Sequence, residues 1–453
     1  MSLDIPIDRS HPPLPGPPSE HAFPAFSEQR LSNGVAVYLV ENHAQPYVSL
    51  TLTLRSGSSY DGDIAGLASF VGGILLSGAG TRNAEELAEA IDFLGATIDV
   101  SAGRDDITIK LGVLTRYLPE ALDFFADLVL RPTFPSNEIA RERRHSIASL
   151  KQAQSDPAYL ASVQFRREAY GSSPYGTEVD GTAESIARIR RKHCVDFHRT
   201  HFTSANSFIV AAGDVDEEVL LALLEERFGT WSGDRPAPVV WHDPETGATP
   251  RVVIVDRHDA MQSAIRVGAV AISRTHPDFI PLVTLHTLFG GYFNSRINQN
   301  LRERNAFTYG AGSSVEALAM PGSVSVRASV GIEVTGAAVR EVFNELRTIA
   351  SELISLEELE MVTNYILGLQ SLQIETPGQV AGFVRTVALY DLPHDYYERF
   401  PDAIRAVTRE RILEVAKRYM DPNTMIVVVV GDAAKIKSEL EEFGPVSVVG
   451  AEG

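Results

Sequence analysis

The chain has 453 residues, 44% hydrophobic and 22% charged, a globular composition too long for one core, so at least two domains are expected. Its formal net charge of −19, from 59 acidic against 40 basic residues, keeps it soluble and argues against nucleic acid and anionic membrane as partners, whereas a basic or extended peptide would be attracted. No run approaches the ~18 apolar residues of a membrane span, and the single cysteine, Cys194, rules out an intrachain disulfide and leaves the compartment unread.

Residues 1–26 carry Pro12, Pro13, Pro15, Pro17 and Pro18 and read as an extended N-terminal arm. Met1-Ser2-Leu3 and Glu452-Gly453 read as scars around a trimmed chain; a signal peptide removed ahead of them places a periplasmic compartment ahead of a cytoplasmic one. Strand character follows over Val35–Glu41 and Tyr47–Arg55, with Asn33-Gly34 as the turn before them. Helical spacing covers Ile64–Leu76, Ala84–Leu94, Leu118–Leu130 and Ser136–Gln154. Between the second and third of these, Thr97–Ser101 and Asp106–Gly112 read as a hairpin. A helix-like run from Ile186 to Phe202 then leads to the apolar strand Ser207–Ala212 and Gly213-Asp214.

Prolines and glycines cluster over 233–250, a linker dividing domains at 27–232 and 251–444 from a tail at 445–453. The second domain shows strands near 252–256, 263–270, 307–316 and 321–330 and helices near 334–351, 355–375 and 398–420. It closes as the first does, with a helix from Ile404 to Met420, the strand Met425–Val430 and Gly431-Asp432. The same 218-residue offset separates Ile186 from Ile404 and Asp214 from Asp432, the mark of a duplicated unit. The expected fold class is α+β: two homologous domains of antiparallel-rich sheet covered by helices, facing each other across a cavity.

Leu31-Ser32-Asn33-Gly34, Gly66-Leu67-Ala68-Ser69-Phe70, Pro174-Tyr175-Gly176, Gly213-Asp214, and Leu301-Arg302-Glu303 with Tyr309 together resemble the pitrilysin, insulinase and mitochondrial-processing-peptidase family across nearly the whole chain. That family's catalytic members carry His-x-x-Glu-His after Gly-Leu-Ala, where two imidazoles four apart share a helix face around zinc and the glutamate activates its water. Here those positions hold Ser69, Gly72 and Gly73. The family's third ligand, in a Glu-Arg-x-x-x-x-x-Glu setting, falls on Ser149 after Glu142-Arg143. The metal site is therefore expected to be absent from this chain, with the two mid-helix glycines allowing close helix packing in its place.

The resemblance also implies an arginine–tyrosine pair reaching from the second domain to hold the substrate backbone and stabilise an oxyanion, kept here as Arg302 and Tyr309. Without the resemblance, Arg302 reads as a helix-end cation and Tyr309 as core filler opening a strand. Some bacterial relatives divide the zinc motif and the pair between two chains. The resemblance thus implies a non-catalytic, substrate-binding subunit that adds a peptide as a strand and works with a zinc-bearing homologous partner, or as a self-dimer. No cofactor is expected in this chain, the zinc being the partner's. The alternative is a non-proteolytic scaffold subunit of the same family.

Cys194, His198 and His201 share a helix face at a spacing that permits zinc, although Ile412, Ala416 and Tyr419 at the corresponding places in the second domain favour packing. His145 and His193 read as solvated. No phosphate-binding loop is present, and Cys194 lacks the neighbours of a nucleophile.

Overall fold

The computed structural model describes residues 22–242 and 250–450; most of the proline-rich arm, linker residues 243–249 and residues 451–453 lie outside the described residues. The first half begins with β1 (Ser27–Arg30), β2 (Ala36–Glu41), β3 (Tyr47–Leu54) and α1 (Leu67–Ile74). A short ladder of β4 (Gly78–Ala79) and β5 (Arg82–Asn83) leads to α2 (Ala84–Phe93), whose Asn83–Glu86 capping box satisfies the first turn. The expected hairpin is β6 (Thr97–Ala102) and β7 (Ile107–Leu114). There follow α3 (Leu118–Leu130), α4 (Ser136–Ala153), α5 (Pro157–Tyr170), α6 (Ala183–Arg188), α7 (Arg191–His201), β8 (Ser207–Gly213) and α8 (Glu217–Phe228). The sheet runs β1-β2-β8-β3-β7-β6, parallel only between β2 and β8.

The second half repeats this plan with β9 (Arg251–Asp256), β10 (Gln262–Val270), α9 (Phe279–His286), a π-helical turn Thr287–Gly291, α10 (Arg296–Asn298) and a second π-helical turn Gln299–Arg304. Next come β11 (Ala311–Glu316), β12 (Ser323–Gly331), α11 (Thr335–Ser351), α12 (Leu356–Leu372) and α13 (Pro377–Leu389). The chain ends with α14 (Tyr396–Arg405), α15 (Arg409–Tyr419), β13 (Ile426–Gly431), α16 (Ala433–Leu440) and β14 (Val446–Gly450). Its sheet runs β11-β12-β10-β13-β9-β14, so five strands of each sheet share one topology, the sixth being antiparallel β1 in the first and parallel β14 in the second, and the α+β expectation holds. No described helix is long and apolar enough to cross a membrane.

Four expectations need correction. The run from Ile186 to Phe202 is two helices, broken where Ile189 turns extended (φ −62, ψ 133). The run through 398–420 breaks likewise, where extended Thr408 caps α15. The strand near 307–316 starts only at Ala311, because Ala306 sits at φ 54 and Thr308 closes a turn onto the Gly310 N–H. Residues 446–450, read as tail, form a strand parallel to β9. The arm also ends packed, with Phe23 buried against Phe383 and Tyr397.

What joins the halves is an exchange of helices. In β3, Val48, Leu50, Leu52 and Leu54 point into the first half's own core, and Ser49, Thr51 and Thr53 lie on the opposite face. Such alternation ordinarily leaves the polar face wet, yet all three hydroxyl residues are buried. They lie beneath α13 of the second half, where Gly378 comes close to Ser49. Val380, Val384 and Val387 of that helix complete a core with Ala36, Phe208 and Val210. Reciprocally, Leu160, Phe165 and Ala169 of α5 pack on Val253, Val428 and Val430 of the second sheet.

Polar groups pin both exchanges. Arg55 donates to the last carbonyls of α13, Leu389 at 2.6 Å and Ala388 at 2.5 Å, filling orphan acceptors at a helix C-terminus. Arg385 of α13 pairs with Asp106 at 2.6 Å, and Arg251 of β9 pairs with Glu168 of α5 at 3.1 Å. Val384→Asp is expected to destabilise the protein by more than about 3 kcal/mol. Amide exchange should quicken in β2 and β8 of the other half; loss of protection confined to α13 and its own half would contradict the exchange.

Candidate functional site

Gly66 opens α1 with φ 86, and a side chain there would strike the Asp180 carbonyl, so only glycine fits. The buried Asp61 carboxylate accepts the N–H groups of Gly66 at 2.6 Å and Ala68 at 2.7 Å, taking up orphan donors of the helix start. Burial pushes its pKa up to about 7, against the pull of those N–H groups. One turn on, Ser69 donates to Asp180 at 2.6 Å. Gly72 faces Val100 of β6, and Gly73 faces Glu142 of α4.

A cavity of about 320 Å³ lies beside this helix, lined by Ser69, Gly73, Glu142, His145, Ser149 and Asp180 among others. Three of the four degenerate positions thus come together in space, with Gly72 buried just behind. The donor set does not fit zinc: a serine already bonded to a carboxylate, two glycines and a second serine offer no anionic or imidazole ligand. Glu142 and His145 lie 3.7 Å apart. However, the only described group of three or more His, Cys, Asp or Glu close enough to share an ion is His258, Asp259 and Asp432. That trio lies elsewhere, and its Asp432 already pairs with Lys435 at 2.9 Å and caps α16.

The glycines do not serve close packing as expected. A Cβ at Gly73 would sit 3.7 Å from Glu142 Oε1 and one at Gly72 3.4 Å from Val100 Cγ1, which is ordinary contact.

The arginine–tyrosine pair lies in the second half. Arg302, in the second π-helical turn, holds its guanidinium 4.6 Å over the Phe293 ring and 3.5 Å from Glu303. Tyr309 is 98% exposed, so neither core filling nor a strand explains it. Phe293 and Tyr309 line one cavity of about 660 Å³. Consecutive residues at the start of α5 border the two spaces: Ala158 lines this larger cavity and Tyr159 the smaller one.

Cys194, His198 and His201 are packed apart. The buried Cys194 thiol is pushed up to about 12 by desolvation. His198 bonds the Val129 carbonyl at 2.8 Å, and His201 bonds Ser56 at 3.0 Å and packs on Phe197 and Tyr60. Burial lowers both imidazole pKa values, that of His201 to about 4. Tyr175, from the Pro-Tyr-Gly motif, is structural: its hydroxyl donates to Asp105 and accepts the Met320 N–H of the other half. Sequence reasoning missed Asp61 and Asp180. A carboxylate shortly before a helix signals a cap, but nothing local marks Asp180, which reaches Ser69 across 111 positions.

Residues 36–182 match the family Insulinase (Peptidase family M16), and residues 188–365 match the Peptidase M16 inactive domain. The chain belongs to peptidase family M16. An uncharacterized zinc protease of Mycobacterium tuberculosis is 27% identical over 359 residues, covering 79% of this chain and 82% of that protein. The rat mitochondrial-processing peptidase subunit beta is 29% identical over 273 residues, covering 58% of this chain and 54% of its own. A crystal structure of a peptidase M16 inactive domain from Pseudomonas fluorescens superposes with a TM-score of 0.85 at 22% identity, over 90% of this chain and 98% of that one. The M16 fold therefore extends over both halves, including the cavity-lining elements.

Two measurements check the local physics of α1. Gly73→Ala should stabilise the chain by about 0.5–1 kcal/mol in urea unfolding, since the helix gains rigidity and the methyl group has room; a loss would restore the close-packing explanation. For Asp61, the folded pKa lies above the ordinary carboxylate value, so the native state holds a proton that the unfolded chain loses between about pH 4 and pH 7. Its contribution falls as pH rises through that window. The stability advantage of wild type over Asp61→Asn should shrink from pH 5 to pH 7 and level off above pH 8, and a flat difference would refute the buried, protonating carboxyl.

Proposed function

We propose that this chain is a non-catalytic, substrate-binding subunit of an M16 zinc peptidase, supplying Arg302 and Tyr309 to the active site of a zinc-bearing homologous partner. The observation that carries this reading is the contrast between the two cavities. The one beside α1 offers no zinc-ligand set at Ser69, Gly72, Gly73 and Ser149, while Tyr309 stands almost wholly in solvent at the rim of the other. A tyrosine exposed in this way supports a role in donating a hydrogen bond outside its own chain.

The chemistry is division of labour. Guanidinium and phenol donors favour a tetrahedral oxyanion over a neutral carbonyl. They need no metal of their own and act once a peptide lies between them and a metal-bound water supplied by the partner. The first sheet offers β6 as an edge beside α1, and the second offers β11 as an edge beside Tyr309. Either can accept an extended peptide by strand addition.

The test is turnover of a peptide by the reconstituted pair. Tyr309→Phe should lower kcat by about 10²-fold with little change in KM, because the lost hydrogen bond belongs to the transition state. Unchanged turnover, with a stoichiometric complex that survives loss of Arg302, would instead assign the chain a scaffold role.

A further inference from the structure

The larger cavity carries a charge at odds with the rest of the molecule. In a chain of net charge −19, its described lining holds two arginines, Arg266 and Arg327, and three tyrosines, Tyr292, Tyr309 and Tyr365, with no aspartate or glutamate. The two arginines are directly opposed across the β10–β12 ladder. On both strands the alternate residues Ile265, Val267, Val326 and Ala328 belong to the second half's own core, which turns the arginines to the cavity face. Like charges directly opposite on one sheet face are destabilising, so this pairing works against the fold.

Neighbouring arginines have carboxylates and this pair does not. Arg104 and Arg166 share Glu316 at 3.6 and 3.0 Å, and Arg166 also takes Glu178 at 3.3 Å. Among the described residues, Arg266 donates only to the neutral Ser325 hydroxyl at 3.2 Å, lies over the Phe165 ring, and leaves its buried Nε without a partner. Arg327 is exposed and forms no ion pair or hydrogen bond among the described residues. Burial first, then the charges of Arg166 and Arg327, depress the pKa of Arg266. Arg327 also adds to the burial that lowers His286 to about 4. The uncompensated field is thus felt by the groups around it.

We propose that this cavity is a carboxylate-binding subsite that takes an acidic side chain or the free C-terminus of an extended peptide. Arg266 and Arg327 provide planar, forked donors suited to a carboxylate, and the Tyr309 and Tyr365 hydroxyls provide neutral ones. Ala311 and Gly312 of the edge strand β11 line the same cavity, so a peptide added to that edge would carry an anchoring group to the arginines. The peptide part rests on the substrate-binding role proposed above; the carboxylate part does not.

The test uses the full chain and calorimetry with four probes. These are glutarate; a neutral 12-residue Ser/Ala/Tyr peptide acetylated and amidated at its ends; the same peptide with one central glutamate; and the neutral peptide with a free C-terminus. One or both carboxylate-bearing peptides should bind about tenfold or more tightly than the blocked neutral one, and whichever gains identifies the source of the carboxylate. Arg327→Gln should abolish that preference while leaving thermal stability equal or higher, since it removes repulsion and no bond. Equal binding of blocked and acidic peptides, or a preference that survives Arg327→Gln, would overturn the subsite and leave peptide binding standing. Glutarate bound in an Arg327-dependent way, with no peptide bound, would keep the anion site and sink the peptide-presenting role. No binding of any probe would overturn both.

Discussion

Everything in this molecule depends on the exchange of α5 and α13 between the halves. Each sheet has two faces that exclude water, and each half has helices enough to cover one. The second face of the first sheet is closed by Val380, Val384 and Val387, and that of the second by Leu160, Phe165 and Ala169. A buried valine or leucine contributes about 1.5–3 kcal/mol, so the three apolar residues of each foreign helix contribute an amount comparable to the margin on which a domain survives. The halves are therefore one cooperative unit. They cannot swing apart as rigid bodies without stripping a helix from a sheet, and any opening of the two cavities must be local.

That rigidity extends to the elements around the cavity beside α1. α1 is still anchored by Asp61 at its start and by Ser69 to Asp180, and α4 still faces it through Glu142. Backbone held by caps and packing in this way needs no ligand side chain to keep its place. The space beside α1 remains because neither glycine nor serine is large enough to fill it.

Much of the fold was legible in the sequence because it is local. Leu118–Leu130 shows its helical spacing plainly, the hairpin over 97–114 alternates, and the 218-residue repeat announces two copies of one sheet. What stayed hidden was non-local or conformational. The breaks at Ile189 and Thr408 interrupt apolar spacing that reads straight through them. β14 is defined only by parallel pairing with β9, far back in the chain. Among candidate site residues, motif spacing picked out Ser69, Gly73 and Ser149, which line one cavity, but the opposition of Arg266 and Arg327 depends on strand register that no spacing reveals. The cover on the hydroxyl face of β3 is hidden for the same reason, since it comes from residues more than 300 positions away.

The exposure of Tyr309 has a thermodynamic side. Free of packing, its side chain samples several rotamers, and whatever fixes it in one must offset about 0.5–1.5 kcal/mol of lost entropy. A first occupant of the rim, whether peptide or protein, bears that cost, and a second arriving at an ordered tyrosine does not. The two then favour each other through a shared ordering step, reciprocally and without any shift of the surrounding fold.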